Sequence, residues 1–332
     1  MRAGVTEVYR CGGAQAVAAV AYGTRTVPRV LKMVGPGSPY LVAAKKLLSH
    51  RIDPGILAGP SESIILAAGL ADASREARLL MAEAAGLDRA AIFAHPERGL
   101  DGATAARFAR MVARRARREP MAHILGRREF WSLSFRVTAD TLDPRPDSEA
   151  LVQAVLDQIP DRAGPLRLVD FGTGTGCLLL ALLHELPAAR GLGIDISEAA
   201  LSVAHANAAA LRLDSRAAFQ RSDCDDGIDP LFDILVSNPP YIPGGEVAAL
   251  QPEVAQFEPR LALDGGSDGL AAYRRLAPAA MRLLAAHGLA AFEIGAGQSE
   301  SVVRIMEEGG LRHIATAADL AGIPRCVLFR KR

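Results

Sequence analysis

From Leu166 onward, apolar runs of strand length alternate with stretches whose apolar residues recur at helical spacing. LRLVDF, GLGIDI, AAFQRS, FDILVS and LAAFEI read as strands, and RCVLFRK closes the chain as another. Between them, CLLLALLHEL, SEAALSVAHANAAALRL, GLAAYRRLAPAAMRLLAAHG and SESVVRIMEEGG read as helices. Strands separated by helices run parallel with right-handed crossovers. The rhythm therefore predicts an α/β fold, a doubly wound sheet with helices on both faces. Such sheets bind ligands beyond the carboxyl ends of their strands, so the residues that follow each strand carry the functional argument.

The first strand runs into VDFGTGTGC and then a helix. Gly172, Gly174 and Gly176, with Thr173 and Thr175 between them, let the backbone turn tightly and approach a ligand. The spacing is GxGxG, not the GxGxxG of dinucleotide sites, and no P-loop lysine follows. The second strand ends in Asp195, about 20 residues on, where a carboxylate accepts ribose hydroxyls. Asp223 follows the third strand, and Asp170 ends the first. Carboxylates around a glycine loop suit a ligand with positive charge and no phosphate, and S-adenosylmethionine fits that description. The bland alternative is that these aspartates merely cap helices.

The fourth strand, FDILVS, stops at VSNPPYIP. Proline cannot donate to a sheet ladder, so the strand ends at Asn238. Asn238 offers an amide oxygen, Pro239 and Pro240 offer carbonyls, and Tyr241 offers a flat ring. Together they suit a planar NH2 group, with two acceptors for its hydrogens and a ring on its face. Such a nitrogen is a poor nucleophile because its lone pair is delocalised. Catalysis there is mostly positioning and polarisation. Alone, the motif is equally a strand-terminating turn.

The 332 residues suffice for two domains, and half of them are hydrophobic. A net charge of +1 gives no global signal for a polyanion partner. The four cysteines lie far apart without a CxxC pair, which suits a reducing cytosol, and the seven histidines form no metal-ligand spacing. No apolar run approaches the ~20 residues of a membrane span. Residues 1–60 are Gly/Ala-rich and basic, with no acidic residue between Glu7 and Asp53. They read as a poorly ordered extension, or as non-native sequence ahead of a downstream start. LVAAKKLLSH is a candidate helix within them. Residues 61–119 read as a helical domain, with Gly69 and Gly86 as punctuation. Its last helix carries Arg107, Arg110, Arg114, Arg115, Arg117 and Arg118, either a solvated face or a contact for an acidic partner. Residues 120–146 read as a linker hairpin and 147–332 as the catalytic domain.

GTGTG, Asp195 and NPPY together resemble the class I S-adenosylmethionine-dependent amino-methyltransferases, whose fold is Rossmann-like. REPMAHILGRREFWSLSFRVTADTLDPRPDSEALV and EPRLALDGGSDGLAAYRRL resemble, more narrowly, the HemK/PrmC family of peptide chain release factor N5-glutamine methyltransferases, from about Ser61 to Arg332. The resemblance implies that the substrate is the glutamine of the release factors' GGQ motif. It also implies that Gly172–Gly176 and Asp195 bind S-adenosylmethionine, with Asp223 and Cys224 beside the adenine. Asn238, Pro239, Pro240 and Tyr241 would hold the glutamine, Asn238 also lying near the cofactor. Arg145 and Pro146 would lie near the active site, and the helical domain would help dock the factor.

Three features depart from the family pattern. Cys224 stands where an aromatic is usual, Asp143 replaces an apolar residue, and Asp147-Ser148 replaces a Glu-Thr pair. The first 60 residues have no counterpart in the pattern. Competing readings are a glutamine methyltransferase of a ribosomal protein, a nucleic-acid amino-methyltransferase, and a non-catalytic S-adenosylmethionine-binding regulator. Duplex-DNA enzymes must flip the base and usually carry a basic groove or a target-reading domain, whereas here the basic residues concentrate in one helix and the net charge is near zero. A nicotinamide oxidoreductase is disfavoured by the GxGxG spacing and by the absence of a proton-transfer residue at the corner. The expected setting is cytoplasmic, with no metal, no membrane and no stable nucleic-acid partner.

Overall fold

A computed structural model describes residues 13–30, 44, 47–48, 72–88, 91–92, 100–229 and 231–331. LVAAKKLLSH and Gly69 fall almost wholly outside these residues. The chain forms two compact units, residues 1–124 and 125–332. The division lies inside the segment read as a linker.

The first unit contains α1 (Gly13–Tyr22), α2 (Ala73–Ala85) and α3 (Gly102–Ala116). On α2, Ala73, Ala77, Leu80 and Ala84 are buried, three or four residues apart on one face. Gly86 ends the helix at φ 64, and Leu87 N–H returns to the Ala82 carbonyl at 3.0 Å. Asp101 caps α3 by accepting from Thr104 N–H at 2.8 Å. The arginine run is not a single solvated face. Arg115 is buried and grips Glu76 through two nitrogens, at 2.7 and 3.0 Å. Arg114 pairs with Glu119, and Arg107 with Glu83. Arg115 thus ties α3 to α2 inside the unit and fits neither the solvated-face reading nor the partner-contact reading.

The second unit begins at the last residue of a short helix, α4 (Met121–Leu125), and opens with a hairpin of β1 (Arg127–Phe130) and β2 (Leu133–Arg136). Its turn residues, Trp131 and Ser132, have φ of 51° and 58° without being glycine. Trp131 is held there by side chains from afar: its backbone N–H reaches Glu149 and its indole N–H reaches Glu185, both at 2.8 Å. Such fixed contacts sustain a conformation that costs about 1–3 kcal/mol.

A seven-stranded sheet follows, in spatial order β5-β4-β3-β6-β7-β9-β8. Its strands are β3 (Arg167–Phe171), β4 (Arg190–Asp195), β5 (Ala217–Arg221), β6 (Phe232–Ser237), β7 (Leu284–Glu293), β8 (Leu311–Ala318) and β9 (Pro324–Lys331). β3 to β7 are parallel, and β9 runs antiparallel between β7 and β8. Side chains alternate between two cores, one on each face. Leu168, Ile234, Val236 and Ala291 pack with α5 (Glu149–Asp157) and α6 (Cys177–Glu185). Val169, Leu235, Ala290 and Phe292 pack with α9 (Ala271–Leu283) and α10 (Ser299–Glu308). Two further helices, α7 (Glu198–Ala210) and α8 (Pro252–Phe257), complete the unit.

Several elements differ from the sequence reading. α1, within the extension read as poorly ordered, was not expected, nor were α4, α5, α8 and β8, and the helix read through Gly288 stops at Leu283. Residues 284–288 join β7 instead, because Leu284 pairs with Phe232 on β6 across an irregularity in register.

Candidate active site

The chain moves outward from β3 to β4 and β5, then returns to place β6 on the other side of β3. This reversal opens a crevice at the carboxyl ends of β3 and β6. Phe171 and Ser237 are register partners, tied by a 2.8 Å bond from Ser237 Oγ to the Phe171 carbonyl. The next residue on each strand is Gly172 and Asn238. The glycine loop and the NPPY corner therefore start side by side, though 66 residues separate them in the chain.

The loop is fixed from three directions. Asp195 at the end of β4 accepts Gly174 N–H on one oxygen and Ser197 N–H on the other, both at 2.9 Å. Thr173 donates its N–H to the Ile194 carbonyl at 2.9 Å and its hydroxyl to Asp170 at 2.7 Å. Asn207 on α7 donates to the Thr175 carbonyl at 2.8 Å. The three glycines have φ of 67°, 55° and 79°, a region where side chains are disfavoured. Gly193, unremarked in the sequence, is needed as much: a Cβ there would lie 2.6 Å from the Phe219 ring and 2.8 Å from Thr173 Oγ1.

A cavity of about 370 Å³ opens over the loop, within the range of small-ligand pockets. Gly172, Thr173, Gly174, Thr175, Asp195, Asp223, Cys224, Asn238, Pro239 and Pro240 all line it. Two expected residues do not. Gly176 sits at the start of α6, its Cβ position 3.1 Å from the Leu180 side chain. Tyr241, half-buried, packs against the core behind the corner and does not line the cavity, and its carbonyl accepts from Gln298 at 2.9 Å. Asp170 is also absent from the lining. It is buried beneath the loop with one oxygen on Thr173 and the other without a hydrogen-bond partner among the described residues.

The corner is held by segments that sequence reasoning did not assign to it. Gln298 bridges the carbonyls of Tyr241 and Gly269 while accepting Gly295 N–H at 3.0 Å. Ile242 and Gly244 bond back to residues 263–266, so the DGG of EPRLALDGG packs under the prolines. Glu258, the first residue of that stretch, takes both carboxylate oxygens to Arg145 at 2.7 and 2.8 Å. Arg145 and Glu258 thus tie the two family-like segments together across the cavity wall. Asp143 is buried 3.7 Å from Arg128, so the polar replacement there is not an isolated charge.

Asp223 pairs with Arg275 at 2.6 Å on the cavity rim. Cys224 has φ 61°, and burial pushes its thiol up to about 11. It presents a neutral thiol to the cavity.

The residues present fit S-adenosylmethionine. Each Asp195 oxygen keeps a second lone pair for ribose hydroxyls. Asp170, buried beneath the loop and outside the lining, acts on a ligand only through Thr173 and the loop it holds. Phe171, Leu178, Ile194, Ile196 and Leu276 supply the apolar walls.

Three of the buried carboxyls around this region are shifted alike. Burial pushes Asp170, Glu258 and Glu293 each up to about 7. A raised carboxyl pKa means that the folded protein binds more protons than the unfolded chain between the ordinary carboxylate range and about pH 7. Stability therefore falls as pH rises through that window and levels off above it. Thermal midpoints of the ligand-free protein between pH 5 and 8 are expected to show this decline. A midpoint that rises over the same range would contradict it.

A family model for the methyltransferase small domain matches residues 139–266, which carry the loop, both aspartates and the corner. Fold and site together define a class I S-adenosylmethionine-dependent methyltransferase. The release factor glutamine methyltransferase of Rhodospirillum rubrum is 47% identical over 265 residues, covering 80% of this chain and 81% of that protein. The protein of the same name from Caulobacter vibrioides is 46% identical, covering 79% and 90%. The chain belongs to the release factor glutamine methyltransferase family. A second family model, histidinol dehydrogenase, matches residues 1–135, which carry none of the site. Among solved structures, TrmN from Thermus thermophilus aligns with a TM-score of 0.40 at 21% identity, over 55% of this chain and 48% of that one.

Proposed function

We propose that this chain transfers the methyl group of S-adenosylmethionine to the side-chain amide nitrogen, N5, of the glutamine in the GGQ motif of peptide chain release factors. The observation that carries this reading is the shared cavity wall of Gly172–Thr175, Asp195 and Asn238–Pro240 in a chain of this family. Bound S-adenosylmethionine supplies an electrophilic methyl group on a sulfonium. The chain's own residues do the rest. Asp195 and the glycine loop hold the nucleoside end, and Asn238 with the Pro239 carbonyl accepts the two hydrogens of the glutamine NH2. That grip aims the nitrogen and draws its lone pair out of conjugation. Methyl transfer there would form the N–C bond as the S–C bond breaks, the bonding pair going to sulfur and one proton leaving the methylated nitrogen for solvent. Neutral Tyr241, its hydroxyl pushed up to about 12 by burial, is half-buried and backs the corner from against the core.

No helix among the described residues is long and apolar enough to cross a membrane, and the cytoplasm is the setting we assign. The test is transfer of labelled methyl groups to an unmethylated release factor, beside ribosomal protein and DNA. Label on the factor alone supports the assignment. Label on DNA or ribosomal protein instead would replace the substrate while keeping the chemistry of the corner.

A further inference from the structure

We propose that Glu293 is a positioning residue for methyl transfer: through the Ser148 hydroxyl, its carboxylate fixes which end of the Asn238 amide faces the cavity. The inference rests on the reading of Asn238 given above. It starts from a problem that Asn238 cannot solve alone. An asparagine side chain has an oxygen that accepts and a nitrogen that donates, nearly equal in shape. Gripping a substrate NH2 requires the oxygen in the cavity. With the amide turned over, two donors would face each other.

The sheet places the answer next to it. Ser237 on β6 pairs with Phe292 on β7, so Asn238 and Glu293 are neighbours one residue on. Glu293 is 1% exposed and Ser148 is 2% exposed. Asn238 Nδ2 donates to Ser148 Oγ at 3.3 Å. The Ser148 hydroxyl and the Asn238 amide both favour the ionised form of the Glu293 carboxyl, so the carboxylate draws the amide nitrogen directly as well as through Ser148. Glu293 Oε2 has no hydrogen-bond partner among the described residues, while the Glu293 backbone carbonyl is pinned by the Tyr273 hydroxyl at 2.8 Å.

A hydroxyl alone does not choose, since it can donate to Oδ1 or accept from Nδ2. An ionised carboxylate only accepts. It draws the Ser148 proton toward itself and leaves the serine oxygen free to accept from Nδ2. The chain of bonds then has one direction, from Asn238 nitrogen to serine to glutamate, and Asn238 Oδ1 is turned outward.

Protonation of Glu293 removes that direction, because a carboxylic acid can donate to Ser148. Burial pushes this carboxyl up to about 7; Ser148, Arg325 and Asn238 oppose the shift, and Asp147 adds to it. The other ionisable groups that face it are Tyr241, Tyr273, Cys177 and Cys326. All are pushed upward by burial and stay neutral near pH 7.

The experiment is steady-state methylation of an unmethylated release factor between pH 5.5 and 8.5, comparing wild type, Glu293→Gln and Ser148→Ala. Melting curves and S-adenosylmethionine titrations accompany each variant. Wild-type kcat is expected to rise through about pH 7. Glu293→Gln is expected to lose roughly tenfold or more in kcat at pH 8, with the Glu293 limb gone and KM for the factor little changed. Ser148→Ala, which removes one hydroxyl, should show the same split and carries the test if Glu293→Gln fails to fold. A variant with wild-type kcat and an unaltered pH limb would overturn the inference. A wild type that leaves the factor's glutamine unmethylated would overturn the functional reading itself, and this inference with it.

Discussion

Asn238→Ala is expected to lower kcat for methyl transfer by roughly 10²–10³-fold, the cost of losing one preorganised polar group at a reacting centre. S-adenosylmethionine binding is expected to change little. The two effects separate because the loop and the corner are anchored independently. The loop is tied to Asp195, Ile194 and Asn207. The corner is tied to Ser148 through Asn238 and to Gln298 through Tyr241. Alanine at 238 leaves every bond of the loop in place. It removes one of two acceptors for the substrate amide, so the nitrogen keeps its conjugation and loses its aim. Stopped-time methylation assays with matched calorimetric titrations check the split. Full turnover in the variant would remove Asn238 from the mechanism.

Asp195→Ala is expected to weaken S-adenosylmethionine binding by about 10²-fold and to lower the melting temperature. Asp195 does two jobs at once. Its oxygens accept Gly174 N–H and Ser197 N–H at 2.9 Å each, joining the loop to the start of α7. On the proposed reading, their remaining lone pairs accept the ribose hydroxyls. Bonds to charged groups contribute about 1.5–3 kcal/mol each, so losing the ribose contacts alone accounts for the expected drop in affinity. The two orphaned N–H groups account for the loss of stability. Titration of the variant by calorimetry and its melting curve check both. An unchanged dissociation constant would place the ribose elsewhere.

Much of this site is legible in the chain because its parts are local. The glycine loop sits between a buried strand and a helix, and the corner ends another buried strand; both are set by a few consecutive residues. β3 and β6 are central strands, covered on both faces, so they read as continuous apolar runs. β8 lies at the sheet edge with mixed burial along LRHIATAA, and its alanines and polar residues gave no strand signal.

What the sequence concealed is long-range. Nothing near Gln298 announces that it will clamp Tyr241, 57 residues away. Arg115 reads as one member of a basic run until Glu76, 39 residues earlier, closes on it. The flat face expected of Tyr241 was reasonable from chemistry alone, but the bond to its carbonyl and the packing of its ring against the core of α9 and α10 turn it inward. Glu293 ends a strand whose function is otherwise structural, and the register of β6 against β7 is what brings it to Asn238.

The most direct test of the account is to locate the methyl group. An unmethylated release factor, incubated with this protein and S-adenosylmethionine, would be digested and its GGQ peptide fragmented by mass spectrometry. One added methyl is expected on the glutamine side-chain nitrogen, and none when that glutamine is replaced by alanine or when Asn238 is. A methyl on any other atom of the factor, or one that persists after the glutamine is replaced, would contradict it.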